Sequence, residues 1–421
     1  MKTTAVRLYG VNDLRMETFE LPPIKPGEIL AKVISDSICM SSHKAADQGP
    51  AHKRVPDDVA TNPVIIGHEF CGIIEEVGAE WQGQFKKGQK FTIQPALNYK
   101  GSLASPGYSY PYVGGNATYV IIPREVMELG CLLDYQADGY FLGSLTEPMS
   151  CIVGTFHAHY HTTNGIYEHR MGIVEGGKLA LLACAGPMGL GAIDYALHCD
   201  RKPSLVVVTD IDDARLQRAA SIITVEEAKK QGIRLVYMNT SGNDAVKELM
   251  ALTDGKGYDD VMVYAPVAPV IEQGDAILAR DGCLNFFAGP SNPDFYAKMN
   301  FYNVHYASTH IVGTSGGNTD DMKESLAMMA AGKLNASAMV THIGGLDCVA
   351  DTTIRYNEIK AMKRLVYCHI SMPLTAIDDF EKLGESDPMY KELAAITKRN
   401  NGLWNTEAEN YLLAHAKPIT A

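Results

Sequence analysis

The sequence predicts an α/β chain: a doubly wound parallel sheet of six strands in its middle, a mainly β domain built from the segments flanking that sheet, and a helical C-terminal extension. Three observations carry this prediction. From Lys178 onward, short apolar runs alternate with amphipathic segments, the pattern of strands and helices in a parallel sheet. Residues 1–35 instead hold short alternating runs separated by a turn-forming Pro/Gly stretch, as in the strands of a mainly β domain. Residues 178–191, KLALLACAGPMGLG, pass from an apolar strand through a glycine turn into an apolar helix, the start of a dinucleotide-binding βαβ unit.

A chain of 421 residues exceeds one small core, and the patterns divide it at 1–152, 153–313 and 314–421. In the first part, residues 4–8, 29–34 and 73–77 read as strands. Residues 94–115, rich in Gly, Pro, Ser and Tyr, read as a surface loop near the substrate entrance. A helix over 148–160 would put His157 and His161 on one face, a possible metal spacing, with helix packing as the plainer role. In the second part, strands are expected at 179–183, 205–209, 234–238, 260–264, 283–288 and 309–312. Helices are expected at 188–198, 212–222, 243–252 and 269–279, the second capped by Asp212. In the third part, 320–331 reads as an amphipathic helix, Tyr356-Asn357-Glu358 as helix and 365–367 as a closing strand. Beyond it, a helix should start at Asp387-Pro388 and stop at Asn400-Asn401-Gly402. Thr406 with Glu409 forms a capping-box pattern for another, packed on the body or on a partner subunit.

A net charge of −12 repels polyanions, so neither nucleic acid nor an anionic membrane is an expected partner, and an anionic substrate requires a local basic patch. Lys44 with His52-Lys53-Arg54 offers such a cluster, a solvated loop being its plainer role. No apolar h-region follows Met1 and no run approaches ~18 apolar residues, which makes the cytoplasm the expected compartment. Nine cysteines, an odd number without CxxC pairs, form no disulfide framework.

Two constellations carry chemistry. Gly186, Pro187, Met188 and Gly189 bring backbone N–H groups to a helix start, where a pyrophosphate can sit, although Cys184 takes the fingerprint's first glycine position. Asp210 follows the second strand and can accept hydrogen bonds from an adenosine ribose, while repelling a 2′-phosphate; this favours NAD(H). Cys39, His68, Glu69 and Glu147 form a mixed S/N/O set that suits catalytic zinc with one open position. Singly, each has an ordinary structural role, and only a fold can unite them.

The segments around Cys39, Gly67-His68-Glu69, Glu147-Pro148 and Gly186-Pro187-Met188-Gly189 resemble, in order and approximate spacing, the medium-chain zinc-dependent alcohol and polyol dehydrogenases. The resemblance spans residues 1–367, and Glu147-Pro148 is similar to the polyol branch. It implies a GroES-like catalytic domain beside a Rossmann domain, with Cys39, His68 and Glu147 as zinc ligands and Glu69 a ligand or neighbour. It further implies a Ser41 proton relay towards His43 or water, a turn hydroxyl being the plainer role of Ser41, and a homo-oligomer, dimer or tetramer. The lobe where many relatives hold a second zinc with four cysteines has none here, so one zinc per chain is expected. The implied activity is hydride transfer between NAD(H) and a polyol/ketose pair, with L-sorbose 1-phosphate reduced to a sorbitol phosphate. Another polyol or a threonine-like amino alcohol is the alternative within enzymes; a nucleotide-binding protein without catalysis is the alternative outside them.

Overall fold

The computed structural model describes residues 1–163, 165–242 and 244–420. It divides into two compact units, Met1–Glu147 with Ala336–Ala421, and Pro148–Asn335. No helix among the described residues is long and apolar enough to cross a membrane.

The first unit is built on the strand Ile29–Ile38, a β-rich run whose residues are almost all buried. It pairs antiparallel with Phe70–Val77, with Tyr119–Ile122 and with Lys363–Tyr367, at the centre of an eight-stranded sheet. Ile29, Ala31, Val33, Phe70, Ile74, Phe91 and Ile122 form its core. Register places the chemistry-bearing residues. Asp36 lies opposite Phe70, and Ile38 opposite Arg364. The end of one strand and the starts of two others therefore meet at one edge of the sheet, where residues 39, 68, 69 and 363 lie.

Two predicted helical features in this unit differ from the structure. The helix Val349–Ile354 ends before Tyr356, because Arg364 donates to the Tyr356 and Ile359 carbonyls at 2.8 and 2.9 Å and lies over the Tyr356 ring. The C-terminal helices Pro388–Arg399 and Thr406–His415 start close to where the sequence places them, but the second is capped by Asn405, whose side chain accepts from Ala408 N. Glu409 does not complete a capping box. It is fully buried and accepts from Phe141 N and Tyr367 Oη, both at 2.8 Å, and from Tyr140 N. Trp404, also fully buried, donates to the same Tyr367 hydroxyl at 2.7 Å. The extension thus packs into its own unit.

The main sheet of the second unit has six parallel strands, ordered Arg234–Asn239, Leu205–Asp210, Lys178–Leu182, Tyr258–Val263, Leu278–Phe286, His310–Gly313. This is the doubly wound order with its switch point beside the first strand. Asp212 caps the helix Asp213–Ile222, accepting from Ala214 N and Arg215 N. The helix expected over 243–252 is Ala245–Ala251; Asn243 lies outside the described residues. The unit runs past the expected boundary at 314 to Asn335, because the helix Thr319–Ala330 is bonded to it: His157 Nδ1 meets Asp321 at 2.8 Å and Tyr195 donates to Glu324 at 2.6 Å. His157 and His161 share no helical face. The helix Thr146–Ala158 stops before His161, which lies in the strand Tyr160–Thr162 and contacts Asp260 at 3.0 Å.

Candidate active site

Cys39 directly follows the central strand and is the N-cap residue of the helix Met40–Gln48. His68 and Glu69 directly precede Phe70. Gly67 sets their direction: at φ +92° it occupies the left-handed region, and a Cβ there would come within 2.8 Å of the Asn116 backbone N. The Cys39 thiol, one His68 ring nitrogen and a Glu69 carboxylate oxygen all fall within 4.8 Å of one another.

Supporting side chains fix each member. Ser42 Oγ lies 3.3 Å from His68 Nδ1, and Tyr108 Oη lies 3.2 Å from Nε2. Lys363 donates to Glu69 Oε1 at 2.6 Å and also to Oε2, which Ser37 Oγ meets as well. Burial, and then the Glu69 charge, pushes the Cys39 thiol up to about 12. Burial pulls the His68 imidazole down to about 4 against the pull of Glu69. Burial works against the Glu69 charge too, but the Lys363 ammonium and His68 hold the carboxyl below its usual range. The cluster thus offers a neutral thiol, a neutral imidazole and a carboxylate. This donor set fits zinc, which binds imidazole and displaces the thiol proton.

Glu147, Ser41 and His43 stand further from the cluster's centre. Glu147 lies in the first turn of the helix Thr146–Ala158, near enough to act on Cys39 and Tyr108 electrostatically but outside the 4.8 Å group. Ser41 Oγ is 3.6 Å from the Cys39 sulfur. His43 is engaged elsewhere: Nδ1 meets the Thr353 carbonyl at 2.9 Å and Nε2 the Asn357 amide at 3.0 Å. A direct Ser41–His43 bond is not formed. The loop 94–115 also departs from a surface reading, since it buries Tyr108 and lays that ring against His68, with centroids 4.7 Å apart. Lys363, Tyr108, Ser37 and Ser42 are the residues that sequence reasoning missed; only the two serines carry a local signal, their position beside Cys39.

At the glycine turn, Gly186 caps the helix Pro187–His198, and open space surrounds the position of a Cβ there. Gly189 is obligatory, because a Cβ would strike the Cys184 carbonyl. The left-handed residue is Ala183, at φ +53°, and not Cys184, which is fully buried and donates its N–H to Thr209 O at 2.7 Å. Asp210 accepts from Ala185 N, Ile211 N and Asp212 N, tying the second strand to the turn.

A strand, glycine turn and helix opening a six-stranded parallel sheet, with a separate β unit holding a Cys/His/Glu donor set, define the class of two-domain, nucleotide-dependent zinc oxidoreductases. Comparison with known proteins agrees. Residues 25–129 match the alcohol dehydrogenase GroES-like domain, and residues 187–331 the zinc-binding dehydrogenase family. The chain is 55% identical over 413 residues to mannitol-1-phosphate 5-dehydrogenase of Aliivibrio fischeri, spanning 98% of this chain and 97% of that one. It is 49% identical over 419 residues to L-sorbose 1-phosphate reductase of Klebsiella pneumoniae, spanning 99% of each. The solved 2R,3R-butanediol dehydrogenase from Bacillus subtilis shares the fold, with a TM-score of 0.69 at 22% identity over 87% of this chain and 99% of that one. The chain belongs to the zinc-dependent polyol dehydrogenase family, whose cofactors are zinc and NAD(H).

Proposed function

We propose that this protein is an NAD(H)-dependent polyol-phosphate dehydrogenase that reduces L-sorbose 1-phosphate to a sorbitol phosphate. The buried Cys39–His68–Glu69 set carries the reading, because it supplies three zinc donors on a chain about half identical, end to end, to enzymes named for hexitol and ketose phosphates. Cys39, His68 and Glu69 would hold the zinc, which would supply Lewis-acid polarisation of the reacting oxygen, and NAD(H) would supply or take up the hydride. The chain's own residues do the rest. Ser42 holds the His68 ring through Nδ1, Nε2 is the nitrogen that would take the metal in place of its contact with the Tyr108 hydroxyl, and Lys363 with Ser37 orients Glu69. Ser41, beside the Cys39 sulfur, is the group we assign to pass the substrate's proton outward, and Glu147, whose charge acts on Cys39, is the further oxygen ligand in this reading.

In the nucleotide unit, Gly186, Pro187, Met188 and Gly189 take the pyrophosphate and Asp210 the ribose. Mannitol 1-phosphate is the second substrate reading, favoured by the Aliivibrio fischeri relative. We place the protein in the cytoplasm as a homo-oligomer; exposed Phe301, Tyr302 and Ile311 near the edge strand His310–Gly313 support association.

The test is elemental analysis with an absorbance assay at the NADH band over phosphorylated and free ketoses and hexitols, using NADH and NADPH. One zinc per chain, turnover of a hexose phosphate and preference for NADH are expected. Activity in Cys39→Ser or His68→Ala protein stripped of zinc would refute the metal assignment, and NADPH preference the role of Asp210.

A further inference from the structure

Arg54 and His52 lie against the face of the very tyrosine that touches the zinc-ligand imidazole. The Arg54 guanidinium is 5.4 Å from the Tyr108 ring centroid, and the His52 ring stacks on it at 5.7 Å and 11°. The loop 94–115 holds this arrangement in place. Ser105 Oγ accepts from Arg54 Nη1 at 2.6 Å while donating to Pro95 O, and Ser109 Oγ donates to the Arg54 carbonyl at 2.6 Å. A flexible cation has thereby been given one direction, at the cost of ordering its side chain.

Charge balance at this spot is one-sided. His52 is held below the usual imidazole range by burial first, then by Arg54, Lys53 and Lys44 in turn, so three cations crowd one half-buried ring. Neither Lys53 nor Arg54 forms an ion pair among the described residues, although the chain as a whole carries −12. Cations concentrated beside the metal donors of an acidic protein are arranged for an anion that arrives from outside. Arg offers a fork of N–H donors that matches a phosphate, and a half-buried setting strengthens each such bond.

We propose that Arg54, with His52 and Lys53, is the subsite for the phosphate of a sugar-phosphate substrate, and that the loop 94–115 serves as its scaffold. This rests on the polyol-phosphate reading above and adds the residues that confer it. The loop's Ser105, Tyr108 and Ser109 link recognition to the metal site: Tyr108 contacts Arg54 on its ring and His68 through its hydroxyl.

The test compares kcat/KM for L-sorbose 1-phosphate against L-sorbose, and for mannitol 1-phosphate against mannitol, in the wild type, Arg54→Ala and Arg54→Lys. Inorganic phosphate is added as a competitor. The wild type should prefer phosphorylated sugars and be inhibited competitively by phosphate. Arg54→Ala should reduce the preference ratio about 10- to 100-fold, mainly through KM, and weaken phosphate inhibition in parallel, as expected for loss of charge-assisted bonds. Arg54→Lys should restore part of the ratio. If Arg54→Ala does not fold, Lys53→Ala is read for the same loss of ratio and of phosphate inhibition. A wild type that prefers phosphorylated sugars, with variants that keep its full ratio, overturns the subsite while the function stands. A wild type indifferent to the phosphate overturns both.

Discussion

Glu409 makes the stability of the first unit depend on pH in a direction opposite to that of most carboxylates. Its carboxyl is buried among Tyr140, Phe141 and Tyr367, and burial, only partly offset by the hydrogen bonds it accepts, raises it from 4.5 to about 7. A carboxyl raised on folding binds its proton more tightly in the native state, so the native state is favoured at low pH. This contribution is complete below about 4.5 and is lost as pH rises through about 7. At 1.36 kcal/mol per pH unit, the difference amounts to about 3 kcal/mol across that window. Glu409→Gln removes the titration but turns an amide N–H₂ toward the Tyr140 or Phe141 N–H, a mismatch worth about 1–3 kcal/mol. Urea unfolding of both proteins at pH 5, 6, 7 and 8, followed by the fluorescence of buried Trp404, should therefore show the wild type clearly the more stable at pH 5. The gap should close or reverse by pH 8. A gap that stays constant across the series would refute the reasoning, because then Glu409 is not titrating between those states.

Two further substitutions test the turn and the metal edge. Ala183→Gly relieves a left-handed residue at φ +53° and should stabilise the protein by about 0.5–1 kcal/mol, the αL penalty less the added freedom of the unfolded chain, read as a rise in urea midpoint. Lys363→Met leaves Glu69 buried without its counter-ion and should cost the zinc-free protein about 3–5 kcal/mol, with added zinc recovering part of the loss. An unchanged midpoint in the zinc-free protein would show that Glu69 is protonated there and not paired.

How far the sequence could be read depends on the range of the forces concerned. Parallel strands buried on both faces appear as uninterrupted apolar runs, so the six strands of the parallel sheet were visible from the order of apolar residues, and Asp212 was visible because a cap acts on N–H groups two and three residues away. The glycine turn was visible except for its strained residue. Strain belongs to φ, and the residue type at Cys184 misdirected attention from Ala183 next to it. Cys39, His68, Glu69 and Glu147 were recognisable as chemistry through the order of their motifs. The boundary at 335 and the end of the helix at Ile354 were hidden, because side-chain contacts outside the helical pattern decide both: Asp321 on His157, 164 residues away, and Arg364 on the Tyr356 carbonyl.

Lys363 is the clearest case of what local pattern cannot carry. It is one lysine in a closing strand, 294 residues from its carboxylate partner, and nothing in its neighbourhood marks it. Antiparallel register brings it there. Once Arg364 stands opposite Ile38, the preceding residue must lie at the level of Cys39, at the edge where Phe70 also begins. The same pairing that closes the sheet therefore delivers the cation that keeps Glu69 ionised before any metal binds. A strand added late in the chain is thus part of the electrostatics of the Cys39–His68–Glu69 cluster, and the C-terminal extension that clamps Tyr367, through Trp404 and Glu409, bears on the same strand at its other end.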